Sequence, residues 1–98
     1  MLRFVDIDRD GPEKRTAEDR RGDFREIYDR YVEAQAAEQA SRCAQCGVPF
    51  CQSGCPLGNH IPDWLRLAAE GDLEDAWRLS ASTSSMPEIC GRICPQDR

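Results

Sequence analysis

One cysteine run constrains this chain more than any other feature: Cys43-x2-Cys46-x4-Cys51-x3-Cys55-Pro56. Four thiols within so short a stretch, with Gly47, Gly54 and Gly58 among them, read as an irregular loop. Small residues let such a backbone fold round a compact inorganic core, because glycine reaches conformations closed to other residues. A second, partial run, Cys90-x3-Cys94-Pro95, follows about forty residues later and repeats the Cys-Pro ending.

The bacterial ferredoxin run is C-x2-C-x2-C-x3-C-P, and its fourth cysteine ligates the other cluster of a pair. This chain has the same Cys-x3-Cys-Pro ending with a longer middle spacing, which points to iron–sulfur ligation and to a second cluster. On that reading Cys43, Cys46 and Cys51 serve one cluster, and Cys55 with Cys94 serves another. Six cysteines do not complete two four-ligand sites. Structural zinc sites usually pair two C-x2-C knuckles, and Cys43/Cys46 is the one such pair here. A disulfide framework suits an even cysteine count in a secreted chain, but Met1 to Asp6 contain no apolar signal region. A cytoplasmic location is therefore expected, where clustered cysteines bind metal more often than they pair. A thioredoxin-like pair needs a βαβ setting that the pattern lacks.

The rest reads as helical packaging, so the expected class is all-α with irregular cysteine loops. Residues 1–15, with Gly11 and Pro12, are expected to form an extended arm, and residues 16–98 one helical domain. Thr16 is a candidate N-cap with an acid at the third position. Phe24, Ile27, Tyr28, Tyr31 and Val32 then fall at three- and four-residue spacings. That spacing predicts one or two helices up to Arg42, with a break near 29–31 and the aromatic stripe packed in a core. Asn59 or His60 is expected to cap a helix with Pro62 in its first turn. Gly71 stops it, and Asp72 caps a second helix through about Leu79. Trp64 and Trp77 are expected to pack this hairpin against the cysteine loops. His60, the single histidine, is expected at a cap or on the surface rather than on a metal.

At 98 residues and 40% hydrophobic composition, the core is small and metal or a partner is expected to aid folding. Eleven acids against nine bases in 1–42, and seven against four in 43–98, leave no basic face for nucleic acid. No stretch approaches the roughly 20 apolar residues of a membrane span. No G-x-G-x-x-G is present, so neither flavin nor nicotinamide binding is expected in this chain.

Taken together, Arg42-Cys43-x2-Cys46-Gly-Val-Pro-Phe-Cys51, Cys55-Pro56, Asn59-His60-Ile61-Pro62-Asp63-Trp64 and Pro87-Glu88-Ile89-Cys90-Gly91-Arg92-Ile93-Cys94-Pro95 resemble one family. It is the N-terminal iron–sulfur domain of NADPH-dependent glutamate synthase small (beta) subunits, a domain shared with the N-terminal part of dihydropyrimidine dehydrogenase. The resemblance runs from about Phe4 to the last residue. It implies a helical ferredoxin-like domain with two [4Fe–4S] clusters, beside an NADPH/FAD domain in the same parent chain and a large glutamate synthase subunit. It implies that electrons pass from the flavin domain toward glutamate formation, so that the parent is an oxidoreductase. It assigns Cys43, Cys46 and Cys51 to one cluster, Cys55 and Cys94 to the other, and treats Cys90 as a non-ligand. The family continues with a further Cys-x3-Cys, so the chain is expected to be truncated at its C-terminal side and to hold incomplete ligand sets. Two other roles compete with electron transfer: a subunit-docking module and a zinc-binding structural module.

Overall fold

The structure is a computed structural model that describes residues 1–95. A 3-10 turn at Arg3–Val5 precedes six helices: α1 Ala17–Arg21, α2 Glu33–Ala40, α3 Phe50–Ser53, α4 Ile61–Glu70, α5 Leu73–Ala81 and α6 Pro87–Ile93. Among the described residues there is no strand, only an isolated antiparallel bridge between Lys14 and Tyr28. The protein is thus mostly helical, as expected. Among the described residues, no helix is long and apolar enough to cross a membrane.

The α4–α5 hairpin is the centre of the fold, and its local chemistry is the one the sequence predicts. Pro62 occupies the first turn of α4, where its missing N–H costs nothing. Asp63, Arg66 and Glu70 face water, while Trp64, Leu65 and Ala68 turn inward. Gly71 ends α4 at φ 86°, returning N–H bonds to the Ala68 and Leu67 carbonyls. This left-handed C-cap is where glycine is favoured over residues with a Cβ. Asp72 then caps α5 by accepting from the Asp75 N–H. α2 packs on α4, and α3 touches it more briefly. Where they meet, the buried residues are small: Ala40, Ser41, Pro62 and Ala76. Among the described residues no large side chain is fully buried, so backbones approach closely but little apolar area leaves water.

The stretch between Thr16 and α2 departs from the sequence reading. Thr16 does cap α1, accepting from the Asp19 N–H at 3.2 Å. The helix lasts only to Arg21, and the chain then runs extended to Val32. Carboxylates divert the backbone here. Asp23 accepts from the Arg25 N–H, and Glu26 accepts from the N–H groups of Ile27 and Tyr28. Side-chain bonds of this kind offer amides an alternative to the helix ladder. The stretch folds back on the residues before α1 through Arg15 N–H to Ile27 O and Asp29 N–H to Glu13 O. The aromatic stripe is consequently not a core: Phe24, Ile27, Tyr28 and Val32 are exposed, and Tyr31 is half-buried.

Residues before α1 lie along α2. Gln39 of α2 donates to Asp8 O and accepts from the Asp10 N–H. Arg42 donates to Ile7 O, and the amides of Leu2 and Arg3 reach Cys43 O and Ser41 O. The radius of gyration is 14.5 Å, above the roughly 13 Å usual for 100 residues.

Candidate metal centre

The six cysteines occupy three settings. Cys43 and Cys46 sit in the loop that leaves α2, Cys51 and Cys55 on and just after α3, and Cys90 and Cys94 within and at the end of α6. All six are free thiols. Cys46 is exposed and the other five are half-buried.

In the first loop the main chain takes a left-handed turn at Gln45, φ 50°, not at Gly47. A glutamine there is strained, so its side chain must be held. Gln45 Nε2 donates to Pro62 O at 2.7 Å and to Cys43 Sγ at 3.3 Å. One amide therefore links the first thiol to the opening turn of α4. The Leu2 N–H on Cys43 O, 2.9 Å, holds the same loop from its other side.

In the second loop Gly58 is the left-handed residue, φ 59°. The Gly58 N–H donates to Cys55 O at 2.9 Å, and the backbone amides that act on the Cys55 thiol are those of Asn59, Leu57 and Gly58. They hold the Cys55 thiol below its ordinary range, against the opposing effect of burial. Backbone amides grouped in a turn favour negative charge nearby.

Asn59 continues the same device with its side chain. Its Nδ2 donates to Ser80 O at 2.7 Å and Thr83 Oγ1 at 2.8 Å, and its Oδ1 accepts from Trp64 Nε1 at 2.9 Å. It therefore ties the cysteine loop to both ends of the hairpin instead of capping α4. His60 holds the cap position without a side-chain capping bond and is half-buried. Trp64 packs as expected beside this loop. Trp77 does not, since it is 64% exposed on the outer face of α5.

α6 is attached mainly by polar bonds. Arg92 forks onto both oxygens of Glu26, which lies in the extended stretch. Inside α6, Cys90 Sγ stands 3.4 Å from Ser84 Oγ. Cys94 leaves the helix at extended angles, φ −63° and ψ 121°.

Among the described residues, no group of three or more His, Cys, Asp or Glu side chains is arranged to hold a single metal ion. A mononuclear zinc site would need its sulfurs all about 2.3 Å from one centre. An iron–sulfur cluster spreads its thiolates over several irons. The donor set fits such a cluster in kind. The thiols are unpaired, and the Cys43 sulfur already accepts an N–H bond, the kind of interaction that tunes cluster thiolates. Sequence reasoning missed Gln45, Asn59 as a side-chain bridge, and the Glu26–Arg92 fork. A cap-type residue directly after a Pro-x-Gly turn was a signal for Asn59; nothing local signalled the other two.

The family model described as dihydropyrimidine dehydrogenase domain II, 4Fe-4S cluster, matches residues 20–98. The chain is 59% identical over its whole length to the glutamate synthase [NADPH] small chain of Azospirillum brasilense. It is 48% identical, again over its whole length, to the protein of that name from Escherichia coli K12. A putative oxidoreductase of Escherichia coli K12, AegA, is 47% identical over 89% of the chain. The chain spans 20% of the first of these relatives, 21% of the second and 13% of the third.

Proposed function

The chain belongs to the 4Fe-4S cluster family of dihydropyrimidine dehydrogenase domain II, and from that premise we propose that it is the electron-transfer domain of an NADPH-dependent glutamate synthase small subunit. Cys43, Cys46 and Cys51 hold three irons of one cluster, and Cys55 with Cys94 holds two of a second. Such clusters take four ligands each, so other parts of the parent protein complete both sets. When bound, the clusters supply a one-electron relay from an NADPH/FAD domain toward the site of glutamate formation in the large subunit. Residues 16–98 make up the cluster domain, and residues 1–15 are an arm that braces its first loop. The compartment is the bacterial cytoplasm.

One observation carries most of this reading: the Gln45 amide donates to Cys43 Sγ, while backbone amides after Cys55 hold its thiol below the ordinary range. The chain thus sets N–H donors beside one sulfur of each proposed set. Cys90 stands apart, inside α6 with its sulfur against Ser84 Oγ, in keeping with a non-ligand.

The test is anaerobic reconstitution of the full-length parent protein with iron and sulfide. Broad visible absorption and bound iron and sulfide are the expected result, and Cys43→Ala should remove part of both. A colourless product would sink the proposal, and zinc found by elemental analysis would replace it with a structural zinc module. A docking role is favoured by a separate feature, the exposure of Phe24, Phe50 and Trp77. Cys43→Ala distinguishes the two: loss of electron transfer with subunit assembly intact supports the relay, and loss of assembly alone supports docking.

A further inference from the structure

Gln45 combines three properties that rarely meet by chance. It lies two residues after Cys43 and one before Cys46, it holds a left-handed backbone angle of 50°, and its amide nitrogen contacts both Cys43 Sγ and Pro62 O. The orientation of that amide is decided by chemistry. Pro62 O is a pure acceptor, so the NH2 end must face it, and the same nitrogen has a second hydrogen for the sulfur. Pro62 itself is buried in the first turn of α4. The donor is therefore mounted on the rigid hairpin, although it belongs to the loop.

We propose that Gln45 sets the reduction potential of the cluster held by Cys43. The inference rests on the proposed cluster reading and adds a residue that positions and tunes without touching iron. Reduction adds one electron, and hence one negative charge, to the cluster and its thiolates. A fixed N–H at one sulfur stabilises the more negative state more than the less negative one, so it raises the potential. Hydrogen bonds to the sulfurs are among the factors that set these potentials. The left-handed angle matters because it directs the side chain of residue 45 back over Cys43. The strain is offset by the two bonds that the amide makes.

The experiment uses the reconstituted full-length parent protein with Gln45→Leu and Gln45→Gly. Leucine removes the donor and keeps bulk; glycine removes the donor and also relieves the backbone angle. Iron and sulfide content is measured first, then each cluster is titrated against a low-potential reductant and followed by electron paramagnetic resonance. The Cys43-ligated signal is identified as the one altered by Cys43→Ser. At the wild-type midpoint, both variants should show a reduced-to-oxidised ratio for that signal lower by about tenfold, equivalent to about 59 mV for one electron. The other cluster should be unmoved. In the apo protein, the alkylation rate of Cys43 should change in both variants, while that of Cys55 stays as in wild type.

Wild-type potentials in both variants at full iron content would overturn the proposal. So would a folded protein that loses the cluster in both variants, since Gln45 would then place the loop rather than tune it. A wild type that takes up no cluster at all would instead refute the cluster reading itself.

Discussion

At the residue scale, the candidate site is governed by amides aimed at sulfur, and Asn59 shows how few atoms hold that arrangement. Its side chain makes three bonds, to Ser80, Thr83 and Trp64, while its backbone N–H serves the Cys55 sulfur. Asn59→Ala leaves the backbone contribution in place and removes the side-chain bonds. Partly buried partners without replacements cost about 1–3 kcal/mol, and that loss should appear as a lower denaturant midpoint. The Trp64 emission should shift to the red as water reaches Nε1. Unchanged stability with unchanged emission would show that Asn59 ties nothing together. Asn59 was legible as a cap-type residue at a helix start. Two of its partners, Ser80 and Thr83, lie more than twenty residues away in the chain, beyond what a local pattern encodes.

At the element scale, the hairpin and the extended stretch before α2 obey different rules. α4 and α5 were readable because proline, glycine and aspartate stand at the helix ends where backbone groups lack partners. Exposed pairs such as Arg66–Glu70 and Glu74–Arg78 add little to them. The stretch 22–32 has helical apolar spacing, yet Gly22 ends α1 and the carboxylates that follow bind local amides instead of a helix ladder. Arg15 then locks it by a two-pronged contact with Asp23, 2.6 and 3.1 Å, and a bond to Glu26 O. The Arg15 guanidinium, helped by the Arg25 N–H, lowers the Asp23 carboxyl from 3.8 to about 2. A folded-state value below the unfolded one stabilises the fold once pH is above 3.8, and that contribution fades as pH falls toward about 2. Wild type and Asp23→Asn should therefore differ in stability at neutral pH, and the difference should close across that window. Urea titrations at several pH values check it. A gap that persists at the acid end would assign the effect to packing instead of charge. The pair is half-buried, so added salt should narrow the neutral-pH gap only in part.

At the scale of the whole molecule, the fold has a core of small residues and a surface rich in large apolar ones. Ala40 and Ala76 are each 6% exposed, whereas Phe24 and Phe50 are at the solvent-facing extreme. Size and placement predict opposite outcomes. Ala76→Leu should cost about 1–3 kcal/mol, because added volume at a close helix crossing forces the backbones apart. Phe24→Ser should stay within about 0.5 kcal/mol, since no packing is lost, and should reduce self-association in analytical ultracentrifugation. A stable Ala76→Leu protein would mean that the α4–α5 crossing is looser than its burial indicates. A strongly destabilised Phe24→Ser protein would mean that the stripe packs in solution after all.

What the sequence by itself determined is the chemistry carried by spacing: the cysteine run, the capped hairpin, the helical class and the family. These rest on interactions within a few residues, where composition and order are sufficient. What only the tertiary structure decided is which groups answer one another across the chain. It placed the Gln45 amide between a cysteine and Pro62, and it set Arg92 on Glu26 across 66 residues of chain. It also turned an apparent helix stripe outward. Each of these depends on where distant backbone segments come to rest, and helical spacing in a sequence carries no information about that.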